Sequence, residues 1–239
     1  MNCQTRLFDE LKLFLLMIVR NHYQRTAVFC QKMAKEYDKK GAILLDVGAG
    51  DFPNRKYFKN VCYLTQDVVQ NKTESIKYVC DINKGIPEIE GSTIDFILST
   101  QVLEHIKEPH KVFKEFNRLL KPGGRLFLTT NMCYEEHMIP YDYFRYTQYG
   151  LKYLGESSGF EVESIRPQGG YFQVLYYLLF NLPIFLFIKR DTVLYYLYLT
   201  VITVPLFLLG LLAYVLDNLD YNERITVNYE CIFRKIQNV

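Results

Sequence analysis

The chain contains no tryptophan, although 20 Tyr and 17 Phe stand among its 239 residues. It also lacks any pair of cysteines at C-x-x-C spacing. Its six cysteines, Cys3, Cys30, Cys62, Cys80, Cys133 and Cys231, are scattered, which excludes a local zinc knuckle or dithiol redox pair and reads as reduced thiols of an intracellular protein. The four histidines, His22, His105, His110 and His137, form neither an H-E-x-x-H motif nor a Cys/His cluster, so no dedicated metal site is expected. A dominant charge is missing as well. The net charge of +2 offers no concentrated basic face, so nucleic acid is not an expected partner. Nor is a cleavable secretory signal expected, since the apolar Leu13 to Val19 is followed by Arg20, Asn21 and His22 instead of small residues.

What is present suits one large domain, or one domain with an appendage. Residues 1–40 read as a helical arm, with one stripe of Leu7, Leu11, Leu15 and Ile18 and another of Tyr23, Ala27, Cys30, Ala34 and Tyr37. The arm packs on the main domain, or serves as a lid or membrane-facing element, because "LKLFLLMIV" is more apolar than a packing stripe requires. From Gly41 to about Ile165, short apolar runs ("AILLDV", "VCYLT", "IKYVC", "IDFILS", "RLFLTT", "FEVESI") alternate with helical patterns. That alternation predicts a parallel, doubly wound α/β sheet. The clearest helix is "PHKVFKEFNRLL". Pro109 suits its first turn, Val112, Phe113, Phe116, Leu119 and Leu120 share one face, and "KPGG", Lys121 to Gly124, is expected to stop it. Open sheets of this kind bind ligands beyond the carboxyl ends of their strands.

"LLDVGAGD", Leu44 to Asp51, runs a strand into glycines, where backbone N–H groups can approach a ligand closely. Gly48 and Gly50 are there, but Phe52 and Pro53 occupy the place of the further glycine in G-x-G-x-x-G, and no G-K-S/T follows. Neither a nicotinamide dinucleotide fingerprint nor a P-loop is present. Asp67 ends the second strand 19 residues past Gly48, where a carboxylate accepts from both hydroxyls of a ribose. Asp81 follows the third strand, where a carboxylate accepts from an adenine amino group. Together they point to a nucleoside without a diphosphate cradle.

In this order, "LLDVGAGD", "DFILSTQVLEHI" and "LLKPGGRLFLTT" resemble the motifs of class I S-adenosylmethionine-dependent methyltransferases. The third is the most specific, since nicotinamide dehydrogenases lack a glycine-rich turn into the fifth strand. "PYDYFRYTQYGLKYLGESSGFEVESI" further resembles a branch acting in glycan or small-molecule methylation. The resemblance implies a Rossmann-like, mostly parallel seven-stranded sheet with an antiparallel last strand, spread over a core of residues 41–170 and a final strand in 223–239. It also implies cofactor roles. Asp46, Gly48, Ala49 and Gly50 surround the methionine part of S-adenosylmethionine, Asp67 takes the ribose, Asp81 with Ile82 the adenine, and Thr100 with Gln101 the sulfonium and methyl end. Phe52 and Pro53 alter the shape of the turn, not its place.

Methyl transfer to a hydroxyl calls for a base, for which the candidates are His137, His105 and Asp142, with Glu104 nearby. Tyr141, Tyr143, Phe144, Arg145 and Tyr146 suit an aromatic wall for a sugar ring, or the docking of a loop on the sheet. Tyr171 to Ile188 and Thr192 to Leu216 carry no charge, and only Lys189, Arg190 and Asp191 separate them. Residues 171–222 therefore read as an apolar helical hairpin inserted before the last strand. About 20 residues cross a bilayer core, so 171–216 is expected to attach the protein to the cytoplasmic face of a membrane, by a transmembrane, re-entrant or surface-lying hairpin. A homo-oligomer contact or a hydrophobic lid of a cytoplasmic protein is the other reading. The expected activity is O-methylation of a glycan, lipid-linked sugar or other small amphiphilic acceptor; the alternative is a catalytically silent scaffold at a membrane.

Overall fold

The computed structural model describes residues 21–51, 54–186 and 192–236. Seven strands form one sheet: β1 (Ile43–Val47), β2 (Cys62–Asp67), β3 (Tyr78–Val79), β4 (Ile94–Thr100), β5 (Leu120–Asn131), β6 (Phe160–Gln168) and β7 (Asn228–Lys235). Their order is β3-β2-β1-β4-β5-β7-β6, with an antiparallel last strand. This is the Rossmann-like arrangement that the motifs imply.

The near-continuous apolar runs have a simple cause: strands covered on both faces have no solvent side to make polar. β1 lies in the middle, with Leu45 opposite both Leu64 and Ile97 in parallel register. On one face Leu44 packs with Phe58, Leu98 and Phe127 against Phe29, Cys30 and Met33 of helix α1 (Asn21–Tyr37). On the other, Leu45 and Val47 join Phe113, Phe116 and Leu119 of helix α2 (Pro109–Leu119). Those three α2 side chains have no exposed surface, each contributing about 1.5–3 kcal/mol of burial. Pro109 begins this helix as its fixed φ allows.

α2 ends at Leu119, just before "KPGG", as expected. "KPGG" is not a free turn; β5 begins at Leu120, directly after the helix. Ile94 pairs with Leu120 and Phe96 with Arg125, so Lys121 to Gly124 bulge out opposite Asp95. Lys121 Nζ lies 2.8 Å from the Asp95 carboxylate, and a Cβ on Gly124 would lie 2.9 Å from two carbonyl oxygens. Pairing to β4, a tertiary interaction, decides the local shape.

The chain divides into two compact units, the sheet unit of Phe29–Arg166 with Tyr229–Val239, and a second that includes Pro167–Asn228. The first stripe expected in the amino-terminal arm lies outside the described residues, and the second is α1. A further helix, α3 (Gln148–Glu156), precedes β6; Thr147 caps it by accepting from the Gly150 amide.

In the second unit, helices α4 (Tyr171–Leu186) and α5 (Val193–Leu216) pack together around Tyr176, Leu206 and Ala213. Gln173 Nε2 donates to the Gly210 carbonyl, and the Tyr198 hydroxyl to the Phe180 carbonyl. The pairing of early with late residues makes the helices antiparallel. The amino-terminal amides of α4 are satisfied by Asp217, which accepts from Gly170, Phe172 and Gln173, and by Asp220, which accepts from Tyr171. Anions there also suit the helix dipole. No helix among the described residues is long and apolar enough to cross a membrane. The expected transmembrane crossing is corrected accordingly: a hairpin crosses only if both arms do, and the 16 residues of α4 extend about 24 Å against a core of about 30 Å.

Candidate active site

The turn after β1 is built from the sheet outward. Gly48 and Gly50 adopt φ of +69° and +52°, the left-handed region in which a side chain is strained. The Gly48 and Ala49 amides both donate to the Gln66 carbonyl of β2, and Gln66 Nε2 donates to the Cys80 carbonyl of the next segment. Gln66, a buried residue that sequence reasoning passed over, thus ties three neighbouring strand ends together. A Cβ on Gly48 would lie 2.3 Å from Val102 Cγ2, whereas one on Gly50 would meet nothing within 4 Å. The first glycine lets the loop after β4 approach; the second leaves room above the turn.

The carboxylates are distributed unequally. Asp67, at the end of β2, accepts from the Gly50 amide at 2.8 Å and from the Val68 amide at 2.7 Å. Asp81 caps the following turn by accepting from the amide and side chain of Asn83, which hold its pKa below the usual value. Ile82 is buried in the sheet core. Asp46 is also buried and receives the Tyr63 hydroxyl. Burial pushes its pKa up to about 7, nearby Asp67 adds to the rise, and Tyr63 opposes it. Asp46 thus ties β1 to β2 through Tyr63. Thr100 accepts from Asn54 Nδ2, and Gln101, at φ +57°, donates through its side chain to Thr129 Oγ1.

The loop that follows β4 meets the loop that follows β5. Glu104 has no exposed surface and accepts from Thr130 Oγ1 and Asn131 Nδ2, each at 2.9 Å. Burial raises its pKa to about 7 despite these donors. The rings of His105 and His137 stand edge to face at 4.7 Å, and one ligand atom from each of Glu104, His105 and His137 lies within 4.8 Å of the others. His105 Nδ1 is 2.7 Å from the Tyr141 carbonyl. Burial lowers the His105 pKa, favouring the neutral ring.

Asp142 has a different part. Its carboxylate is gripped by both terminal nitrogens of Arg145 at 2.7 Å and by the His137 amide at 2.9 Å. The guanidinium holds the Asp142 pKa well below the carboxylate range. That makes it a poor base and a firm clamp. Tyr146 is buried and donates to the Leu103 carbonyl, docking the loop, whereas Tyr141 is 59% exposed and Phe144 38%. The aromatic segment thus divides, with Tyr146 anchoring and the other two facing outward.

A glycine turn, the Asp67 carboxylate and the Glu104–His105–His137 cluster stand at the carboxyl ends of β1, β2, β4 and β5. Residues 20–165 match the model of a methyltransferase domain family, which covers more than half of the chain. The chain belongs to the class I S-adenosylmethionine-dependent methyltransferases. Curated relatives include thiol S-methyltransferase TMT1B of Rattus norvegicus, 26% identical over 98 residues that make up 35% of this chain and 40% of that protein. Another is the ubiquinone biosynthesis O-methyltransferase of Coxiella burnetii, 30% identical over 104 residues, 38% of this chain and 44% of that one. The chain thus spans less than half the length of these relatives. Among solved structures, the Burkholderia thailandensis 1,6-didemethyltoxoflavin-N1-methyltransferase superposes with a TM-score of 0.56 at 11% identity, covering 96% of this chain and 90% of that one. A chain of the Haloferax volcanii complex between the Trm112 methyltransferase activator and a methyltransferase gives 0.58 at 16%, covering 97% and 98%. At such identities these structures establish the fold alone.

The cofactor of the class is S-adenosylmethionine, and the residues of this chain fit it. Gly50 leaves open space where a Cβ would stand, and Asp67 lies beside that opening. Ser99 Oγ and Asn131 Oδ1, near the ends of β4 and β5, are buried polar atoms without a partner among the described residues.

Proposed function

We infer that the protein uses S-adenosylmethionine to methylate a small molecule. We propose that the acceptor atom is an oxygen, carried by a glycan, a lipid-linked sugar or another small amphiphile. The observation that carries this reading is the buried Glu104 meeting His105 and His137 where the loops after β4 and β5 converge. A soft sulfur nucleophile ionises readily without such a centre, whereas an alcohol must lose a proton as it attacks.

S-adenosylmethionine, when bound, supplies a methyl group already activated on a sulfonium, so the protein mainly aligns the reactants. Asp67 and the Gly48–Gly50 turn hold the nucleoside and methionine portions, and Gln101, set at positive φ, turns the loop toward the methyl end. The Glu104–His105–His137 centre receives the acceptor hydroxyl and promotes the loss of its proton. Asp142 and Arg145 fix His137 through its amide, and Tyr141 and Phe144 offer exposed rings to an acceptor.

An amphiphilic acceptor accords with the second unit. Leu178, Leu182, Val201 and Leu208 of α4 and α5 are 48–75% exposed, and the two helices carry no charge. Apolar surface of this extent marks an interaction site, and we assign it to a lipid surface, with the helices lying at the interface instead of crossing it. Both assignments have direct tests. Incubation with S-adenosylmethionine labelled in its methyl group, against a panel of lipid-linked sugars, phenols, amines and thiols, is expected to label an O-methyl product. Label confined to nitrogen or sulfur products refutes the oxygen assignment.

A further inference from the structure

His105 and His137 are oriented as metal ligands are. Each directs Nδ1 to a backbone carbonyl, His105 to Tyr141 at 2.7 Å and His137 to Glu135 at 3.1 Å. An Nδ1–H bound in this way leaves Nε2 with its lone pair, and such outer hydrogen bonds fix the tautomer and ring plane of metal-ligating histidines. His137 Nδ1 is also 3.2 Å from Asp142, which Arg145 locks in turn. Glu104 completes the set. Its oxygens accept from the neutral side-chain donors Thr130 and Asn131. Beside it, Asn131 Oδ1 is buried and has no partner among the described residues, an atom suited to a water or a bound hydroxyl.

We propose that Glu104, His105 and His137 bind one divalent transition-metal ion, leaving a coordination position open for the acceptor oxygen. Two imidazoles and a carboxylate form the donor set that suits zinc, cobalt, iron or manganese, and three protein ligands with an open position are the pattern of catalytic metal sites. Resting on the functional reading above, the ion gives the centre its chemistry. The bound hydroxyl ionises and its proton leaves to water. The oxygen pair forms the new C–O bond to the methyl carbon while the C–S bond breaks, its electrons going to sulfur to give neutral S-adenosylhomocysteine.

The test uses the full chain after chelator treatment, titrated with Co²⁺ and followed by visible ligand-field absorption, with S-adenosylhomocysteine binding measured in parallel. Saturable binding of one Co²⁺ is expected, together with paramagnetically shifted ring-proton resonances from two histidines. His137→Ala should weaken Co²⁺ binding more than tenfold, since loss of even an outer hydrogen bond costs about 10–100-fold, while S-adenosylhomocysteine binding persists. A chain that binds S-adenosylhomocysteine but not Co²⁺, or whose Co²⁺ affinity and histidine resonances are indifferent to His137→Ala, overturns the proposal. Should His137→Ala also abolish S-adenosylhomocysteine binding, the shifted resonances of the unsubstituted chain decide: two histidines support the site, none refutes it. Binding of Co²⁺ without S-adenosylhomocysteine would sustain the metal site and refute the methyltransferase mechanism built on it.

Discussion

Replacing Gly48 with alanine separates the two demands placed on the turn after β1. The residue stands at φ +69°, which costs a residue with a Cβ about 1–2 kcal/mol. The added methyl would lie 2.3 Å from Val102 Cγ2 and 3.1 Å from its Cγ1. Val102 is stiff about χ1 and packs against the core of the sheet unit, so it cannot step aside freely; overpacking of this kind costs about 1–3 kcal/mol. The sum, about 2–5 kcal/mol, lowers Tm by roughly 4–20 °C for a chain of this size. Urea denaturation of the wild type, Gly48→Ala, Val102→Ala and the double variant measures the components. With Val102 shortened, the added methyl should cost only its backbone strain, giving a coupling of about 1–3 kcal/mol. Additivity within about 0.5 kcal/mol, or an unperturbed Gly48→Ala, would refute the claim that this glycine exists to let the two loops touch.

Asp46 makes the stability pH-dependent. Its folded pKa of about 7 exceeds the unfolded value, so its favourable contribution is full below about pH 4 and lost as pH rises through 7. Between pH 5.5 and 8 this amounts to about 2 kcal/mol. Tyr63, Asp67 and Cys30 are the titratable groups that interact with it, and Asp46→Asn should flatten the denaturation-against-pH curve across that interval; an unchanged slope would place the titration elsewhere. Asp142→Asn should reduce kcat by about 10²-fold through misplacement of His137, with S-adenosylhomocysteine affinity held within about twofold; loss of both equally would mean that the loop merely supports the fold. Flotation with anionic vesicles should carry the wild type, and a Leu178→Glu/Leu182→Glu/Leu208→Glu variant should remain at the bottom; equal flotation would remove the lipid assignment.

The legibility of these features in the sequence follows the range of the interactions that make them. The sheet could be read because each buried strand is itself an apolar run, and α2 because its four inward residues repeat at helical spacing. The "KPGG" segment was legible as the stop of α2, whereas its bulged pairing with β4 was not, because that contact joins residues far apart in the chain. The glycine turn and Asp67 were legible as a strand-end pattern, while Gln66, the residue joining three strand ends, gave no signal, being an ordinary polar residue inside an apolar run. The Glu104–His105–His137 centre was half visible. Glu104 and His105 adjoin, but His137 stands 32 residues later, and only the parallel pairing of β4 with β5 brings their loops together. Asp142 looked like a base by type; its bond to Arg145, three residues on, makes it a clamp.

The most direct test of the whole account is calorimetric titration of the detergent-solubilised protein with S-adenosylhomocysteine, comparing wild type with Asp67→Ala. The account predicts saturable binding by the wild type, weakened about tenfold or more when the carboxylate is removed, as expected for the loss of charged hydrogen bonds to a ribose. A folded wild-type protein that shows no saturable binding, or an Asp67→Ala variant that binds equally well, would contradict it.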